Sequence, residues 1–163
     1  MLSDSQISDW NVPSAVSSSS IYGFSSDGWR FGNASSFSRI PLNFEVAYPV
    51  SVEFTVNNRV WLAPIAMFMN NNNNYIAVSY GEGGNLFRYK ENGAGMPTGD
   101  VNYNLLNGSI IRLELTSDTI KTYVNDNLID TRNHSFNQTG LHFYFETGGS
   151  RENTIKNFKI QPL

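Results

Sequence analysis

The chain has 163 residues, 40% of them hydrophobic and 15% charged, with a net charge of −3 and no cysteine. That length suits one domain with a buried core, taken here as residues 1–163, and the apolar content excludes a disordered chain. The acidic balance argues against a nucleic-acid partner, which needs a basic face to displace counterions, and the missing cysteine removes disulfides, zinc–thiolate sites and thiol nucleophiles.

Helical periodicity is nearly absent, because Asn, Gly, Pro or a β-branched residue interrupts almost every window long enough for a helix. Short alternating runs recur instead, each closed by turn residues. They predict strands at Ile21–Phe24, Gly28–Gly32, Leu42–Tyr48, Val50–Val56, Val60–Met69 and Tyr75–Tyr80. Further strands are expected at Leu86–Tyr89, Ser109–Thr116, Ile120–Val124, Leu128–Thr131, Gly140–Glu146 and Thr154–Ile160. With 11 Phe and 8 Tyr among turn-forming Asn, Ser and Gly, the pattern predicts an all-β sandwich or barrel and under about a tenth helix.

Two segments carry most of the topology. Ile110–Thr131 reads as a three-stranded meander, with Ile111, Leu113 and Leu115 alternating against Arg112 and Glu114. In Gly140–Glu146, Leu141, Phe143 and Phe145 point one way and His142, Tyr144 and Glu146 the other. The Asn70–Asn74 run predicts a hairpin loop between Met69 and Tyr75, since Asn tolerates left-handed geometry; its amides are a lesser candidate for ligand binding. No run approaches the roughly 20 apolar residues of a membrane span, so no membrane insertion is expected. Met1-Leu2-Ser3-Asp4 has neither the basic nor the apolar region of a secretory signal.

Val52-Glu-Phe-Thr-Val56, the pair Ile111-Arg-Leu-Glu-Leu115 and Ile120-Lys-Thr-Tyr-Val-Asn-Asp126, and the closing Ile155–Leu163 resemble strands of concanavalin A-like lectin and glucanase modules. The resemblance covers most of the chain from about Trp29 onward. It implies a two-sheet antiparallel jelly roll, with a concave sheet that is often a glycan platform and a convex back sheet. It places Val60–Met69, Tyr75–Tyr80, Leu86–Tyr89 and the His142 strand in the concave sheet, and the Ile110–Thr131 meander in the back one. The Asn-rich, cysteine-free composition is also similar to carbohydrate-binding modules of phage baseplate and tail proteins of Gram-positive hosts. That similarity implies a virion or extracellular location, a cell-surface polysaccharide or oligosaccharide as partner, and other baseplate or tail proteins as neighbours.

The same fold hosts glucanases that use Glu-x-Asp-x-Glu on one strand, and retaining hydrolysis needs two carboxylates about 5–5.5 Å apart. Neither Glu53 nor Glu114 is followed by such spacing, and His134 and His142 lack a nucleophile-elbow motif. No catalytic activity is expected. Calcium is left open as the one cofactor, since lectin-like sandwiches hold it at the rim, but Glu82, Asp100, Asp118 and Asp126 are scattered among turns. Sugar platforms combine aromatic faces with a few directed polar groups. The matching candidates are Trp61, Tyr80, Arg88, Tyr89, His142, Tyr144 and Glu146. Trp10, Trp29 and Trp61 also read as core, and Tyr80 shares its strand face with Ile76 and Val78. Arg88 and the His142–Glu146 face oppose an apolar set and are the stronger candidates, with Arg88 expected to reach from a neighbouring strand. The competing reading is a structural or assembly domain that docks a protein partner in a virion or cell-surface complex.

Overall fold

The computed structural model describes residues 2–3, 23–25, 28–31, 38–42, 45–46, 48–57, 65–71, 73–82, 86–147 and 153–163. Among these there is no helix. The strands are β1 (Leu2–Ser3), β2 (Gly23–Ser25), β3 (Gly28–Phe31), β4 (Ser38–Pro41), β5 (Val50–Asn57), β6 (Ile65–Asn71), β7 (Asn74–Glu82) and β8 (Leu86–Glu91). They continue with β9 (Ala94–Gly95), β10 (Val101–Asn102), β11 (Ile110–Leu115), β12 (Thr119–Val124), β13 (Asn127–Asn133), β14 (His142–Thr147) and β15 (Asn153–Pro162).

Two antiparallel sheets result. The back sheet runs β13-β12-β11-β5-β15-β3-β2, with β1 on β15; the front sheet runs β10-β8-β7-β6-β14-β4, with β9 on β8. The expected meander is β11–β13 in the back sheet, and the His142 strand lies in the front sheet with β6, β7 and β8. Two-residue turns close several hairpins. Asn125 and Asp126 link β12 to β13 with φ of 50° and 63°, and Asn92 and Gly93 link β8 to β9 with φ of 52° and 86°. Paired positive φ values match the right-handed twist of the flanking strands, and Asn, Asp and Gly carry them at low steric cost. The Asn run forms the β6–β7 turn, with Asn71 opposite Asn74.

The expected strand at Leu42–Tyr48 does not form as such. The strand is Ser38–Pro41, and beyond it Leu42 and Val46 donate separately to the carbonyls of Phe143 (2.9 Å) and Leu141 (2.7 Å). These two bonds are four residues apart on this side and two on the other, so regular strand pairing does not continue past Pro41. Alternation fails in β15 as well, where Ile155 and Phe158 both face the core although three residues apart. The register shifts between Lys156 and Lys159, and Asn157 takes φ 52°. The extra residue of this bulge turns Phe158 inward.

Alternate residues from both sheets fill the core: Val50, Val52, Phe54 and Val56 of β5 meet Ile76, Val78 and Tyr80 of β7 and Phe143 and Phe145 of β14. Ring pairs cross between the sheets. Phe54 lies 5.4 Å from both Tyr80 and Phe145, and Phe158 lies 5.5 Å from Phe143. A buried polar contact also spans the sandwich. The Tyr89 hydroxyl donates to Thr122 Oγ1 at 2.9 Å. Arg132, 5% exposed, pairs with Asp130, donates to the Pro97 carbonyl at 2.5 Å and sits 4.6 Å from the Tyr89 ring centroid.

This packing overturns two of the candidate binding residues. Tyr80 and Tyr89 are 1% and 2% exposed, because they share the inward face of their strands with Ile76, Val78 and Phe87. Burial pushes both phenols above their ordinary range, Tyr80 strongly; in Tyr89 the bond to Thr122 partly opposes it. A pKa raised by folding means stability that is complete below the unfolded value of about 10 and is lost as pH rises toward the folded one. Stability should therefore fall above about pH 10. The Tyr80 hydroxyl is buried without a hydrogen-bond partner, so Tyr80→Phe should be neutral or stabilising by up to about 1 kcal/mol and should weaken the alkaline loss. Tyr89→Phe, which strips Thr122 of its donor, should destabilise by about 0.5–1.5 kcal/mol. Denaturant titrations at neutral and alkaline pH test this, and a clearly destabilised Tyr80→Phe would contradict it.

Candidate functional site

Burying Phe143 and Phe145 places His142, Tyr144 and Glu146 on the outer face of the front sheet, all three partly exposed. The register arranges their neighbours in rows. His142 faces Met69, which faces Tyr75. Tyr144 lies between Pro41 and Met67, and Met67 faces Ala77. Glu146 lies between Arg39 and Ile65.

The centre of this face is apolar. Met67 and Met69 are each 2% exposed although they point away from the main core; with Ala77 they form a second cluster, against which Ile65, Tyr75 and Tyr144 pack. Arg39 supplies the charged rim. Its Nε donates to Glu146 Oε2 at 3.0 Å, and its guanidinium carbon lies 5.6 Å from the Tyr75 ring centroid. Strands β4 and β7 are three positions apart, about 14 Å in a flat sheet. The two side chains therefore lean toward each other across β14 and β6. His142 and Tyr144 meet edge to face at 6.4 Å, and His142 Nδ1 is buried with no hydrogen-bond partner. The face thus joins aromatic rings, an apolar floor and an ion pair, a mixture suited to a ligand with both C–H faces and hydroxyls.

Arg88 does not belong to this group. Two strands, β7 and β6, separate it from β14, and it grips Asp100 through Nε (3.1 and 3.3 Å) and Nη2 (3.0 Å). The arginine beside Glu146 is Arg39. Trp61 lies outside the described residues. The turn carboxylates are likewise engaged: Asp126 with Arg112 at 2.6 Å, and Asp118 with the Thr116 hydroxyl at 3.2 Å. Among the described residues, no three His, Asp or Glu side chains gather as a metal site would require. Sequence reasoning missed Arg39 and Tyr75, yet one signal was present. In Ile65–Met69 both strand faces are apolar, which marks a strand covered on its outer side too.

Solved structures of the same architecture share little sequence with this chain. The carbohydrate-binding module CBM66 from Bacillus subtilis superposes with a TM-score of 0.68 at 14% identity, covering 94% of this chain and 95% of that one. A Crh5 transglycosylase in complex with NAG gives 0.67 at 9% identity, over 96% and 79% of the respective chains. A native glycosidic hydrolase gives 0.66 at 13% identity, over 95% and 90%. The chain has a concanavalin A-like jelly-roll fold. No protein-family model and no curated protein sequence matches it.

Within this jelly roll the Arg39–Glu146 pair is partly shielded, with side-chain exposures of 34% and 17%. A double-mutant cycle over Arg39→Ala and Glu146→Gln should give a coupling of about 0.5–1 kcal/mol, the range for pairs still open to solvent. The coupling should shrink in high salt. A coupling of zero at low salt would show that the pair holds nothing in place.

Proposed function

We propose that the protein is a non-catalytic glycan-binding module and that the outer face of its front sheet takes the sugar. The observation that carries this reading is the arrangement of Tyr75 and Tyr144 over the Met67–Met69 floor, beside the Arg39–Glu146 pair. Pyranose and furanose rings present C–H surfaces that pack on aromatic faces, while their hydroxyls need directed donors and acceptors. Arg39, Glu146 and His142 supply those. Similarity in fold to a carbohydrate-binding module over nearly the whole of both chains supports the same reading.

Binding is favoured over hydrolysis because retaining chemistry needs a pair of carboxylates flanking the bond. Among the described residues, the carboxylate beside the rings is Glu146, and its Oε2 already accepts from Arg39. The setting we propose, a phage or other surface adhesion device acting on a cell-surface polysaccharide, rests on the Asn-rich, cysteine-free composition alone.

Retention on purified cell-wall polysaccharides and a glycan array identify the ligand. On that ligand Tyr144→Ala and Arg39→Ala should each cost about 1–3 kcal/mol of binding, or roughly 5- to 150-fold in affinity. Melting temperature should fall by no more than a few degrees, because both side chains are partly exposed and the ion pair contributes about 1 kcal/mol at most. Unchanged affinity in both variants would remove this face from consideration. Release of reducing ends from the bound polysaccharide, lost on Glu146→Gln, would replace binding with catalysis.

A further inference from the structure

At the end of the sandwich where β11 turns into β12, a groove of about 430 Å³ opens between Tyr48, Ser117, Phe136, Asn137, Gln138 and Thr139. Nothing in the outer-face site uses it. We infer that this groove is a second carbohydrate site, for a single neutral sugar unit, with Tyr48 as its stacking ring and the Asn137 amide as its hydroxyl reader. The choice of ligand class rests on the glycan-binding reading above; the site itself rests on its own geometry.

The loop that forms the groove is pinned from several sides. Phe136, 4% exposed, is inserted in the main core. The Asn137 carbonyl accepts from Asn70 Nδ2 at 3.2 Å and Asn74 Nδ2 at 2.6 Å, and its N–H donates to Asn74 Oδ1 at 3.2 Å. Gln138 Nε2 donates to the Thr116 and Ser117 carbonyls at 2.8 and 3.3 Å, and the His134 N–H donates to the Asp118 carbonyl at 2.9 Å. A groove held this firmly loses little freedom when a ligand enters, which favours binding of a small one.

Its chemistry selects the ligand. None of the six lining residues is charged, so an ion would leave water for a place with no counter-charge. Tyr48 is 44% exposed and offers an open ring. Asn137 Oδ1 accepts from the Thr139 N–H at 3.0 Å, which orients the amide and leaves Nδ2 to donate. Two carbonyls claim the Gln138 Nε2 group and its Oε1 is buried, so this side chain shapes the groove wall and leaves the reading of hydroxyls to Asn137. The Tyr48 ring face, the Asn137 amide donor and the hydroxyls of Ser117 and Thr139 together match a neutral polyol with one apolar face. The volume falls within the range of small-molecule sites.

The test is a titration of isotope-labelled protein, followed by amide NMR, with methyl glycosides of neutral hexoses in pyranose and furanose forms and with glycerol as a control. The expected result is saturable movement of the Asn137 and Gln138 side-chain amide signals with at least one glycoside and not with glycerol. Tyr48→Ala should weaken that glycoside about tenfold and Tyr48→Phe should leave it nearly unchanged. Asn137→Asp, which keeps the acceptor for Thr139 and removes the donor, should weaken it by a similar factor. Equal response to glycerol would mean an adventitious additive only and would overturn the site. Movement confined to Ala77, Tyr144 and their neighbours would overturn it while supporting the outer face. No movement anywhere would also overturn it, and polysaccharide retention then decides the outer face separately.

Discussion

The structure depends on the aromatic contact between the sheets. Phe54 of the back sheet meets Tyr80 and Phe145 of the front sheet, and Phe158 meets Phe143. Fully burying a large apolar side chain is worth about 1.5–3 kcal/mol, and these rings do so on β5 and β15 of one sheet and β7 and β14 of the other. They therefore set the facing of β14 as well as its position. Because side chains alternate with a period of two, a slip of one residue in β14 would bring His142, Tyr144 and Glu146 into the core and put Phe143 and Phe145 in water. The outer-face site exists because that exchange is so unfavourable.

A second constraint acts on the polar side chains inside the sandwich. Thr122 faces inward with Ile120 and Val124, and Arg132 enters from the β13 edge. Each has a partner across the gap, Thr122 in the Tyr89 hydroxyl and Arg132 in the Pro97 carbonyl and the Tyr89 ring, while Asp130 pairs with Arg132 along β13 itself. Buried polar groups tolerate few alternative arrangements, since a displaced partner leaves an unpaired atom or charge. The contact thus fixes how the β8 edge of the front sheet sits over β12 and β13. The Asn70–Asn74 run does comparable work at the end of the sandwich. Asn70 and Asn74 spend their amides on Asn137, which ties the β6–β7 hairpin to the loop leading into β14.

What could be read from the sequence follows from these constraints. Where one face is apolar and the other polar, as in β11, β12 and β14, alternation located both the strand and its buried side. It failed where an extra residue broke the period, at Asn157 in β15, and where regular pairing with β14 ends at Pro41. For the site, parity correctly exposed His142, Tyr144 and Glu146 and already placed Tyr80 with Ile76 and Val78. Strand order is a non-local property that no short window contains. A single sequence could not show that β4 lies beside β14, so Arg88 stood in for Arg39. Ser38–Pro41 is short and ends in proline, a pattern that reads more readily as a turn than as an edge strand.

Strand β6 ties stability to the proposed recognition. Ala66 and Phe68 supply the inner core, and Met67 and Met69 make the outer side equally apolar. An uncovered apolar stripe on a sheet invites association with another chain. Here Tyr75, Tyr144 and Ile65 pack against it, with Arg39 held beside them by Glu146. That cover is made of side chains whose own outer surfaces are aromatic and charged. Met offers a soft, adaptable base, so the rings above it can tilt to a ligand without opening a void. The residues that shield the floor from water are therefore the same ones that would present it to a sugar under the proposed function, and a substitution that flattens this cover should then change recognition before it changes folding.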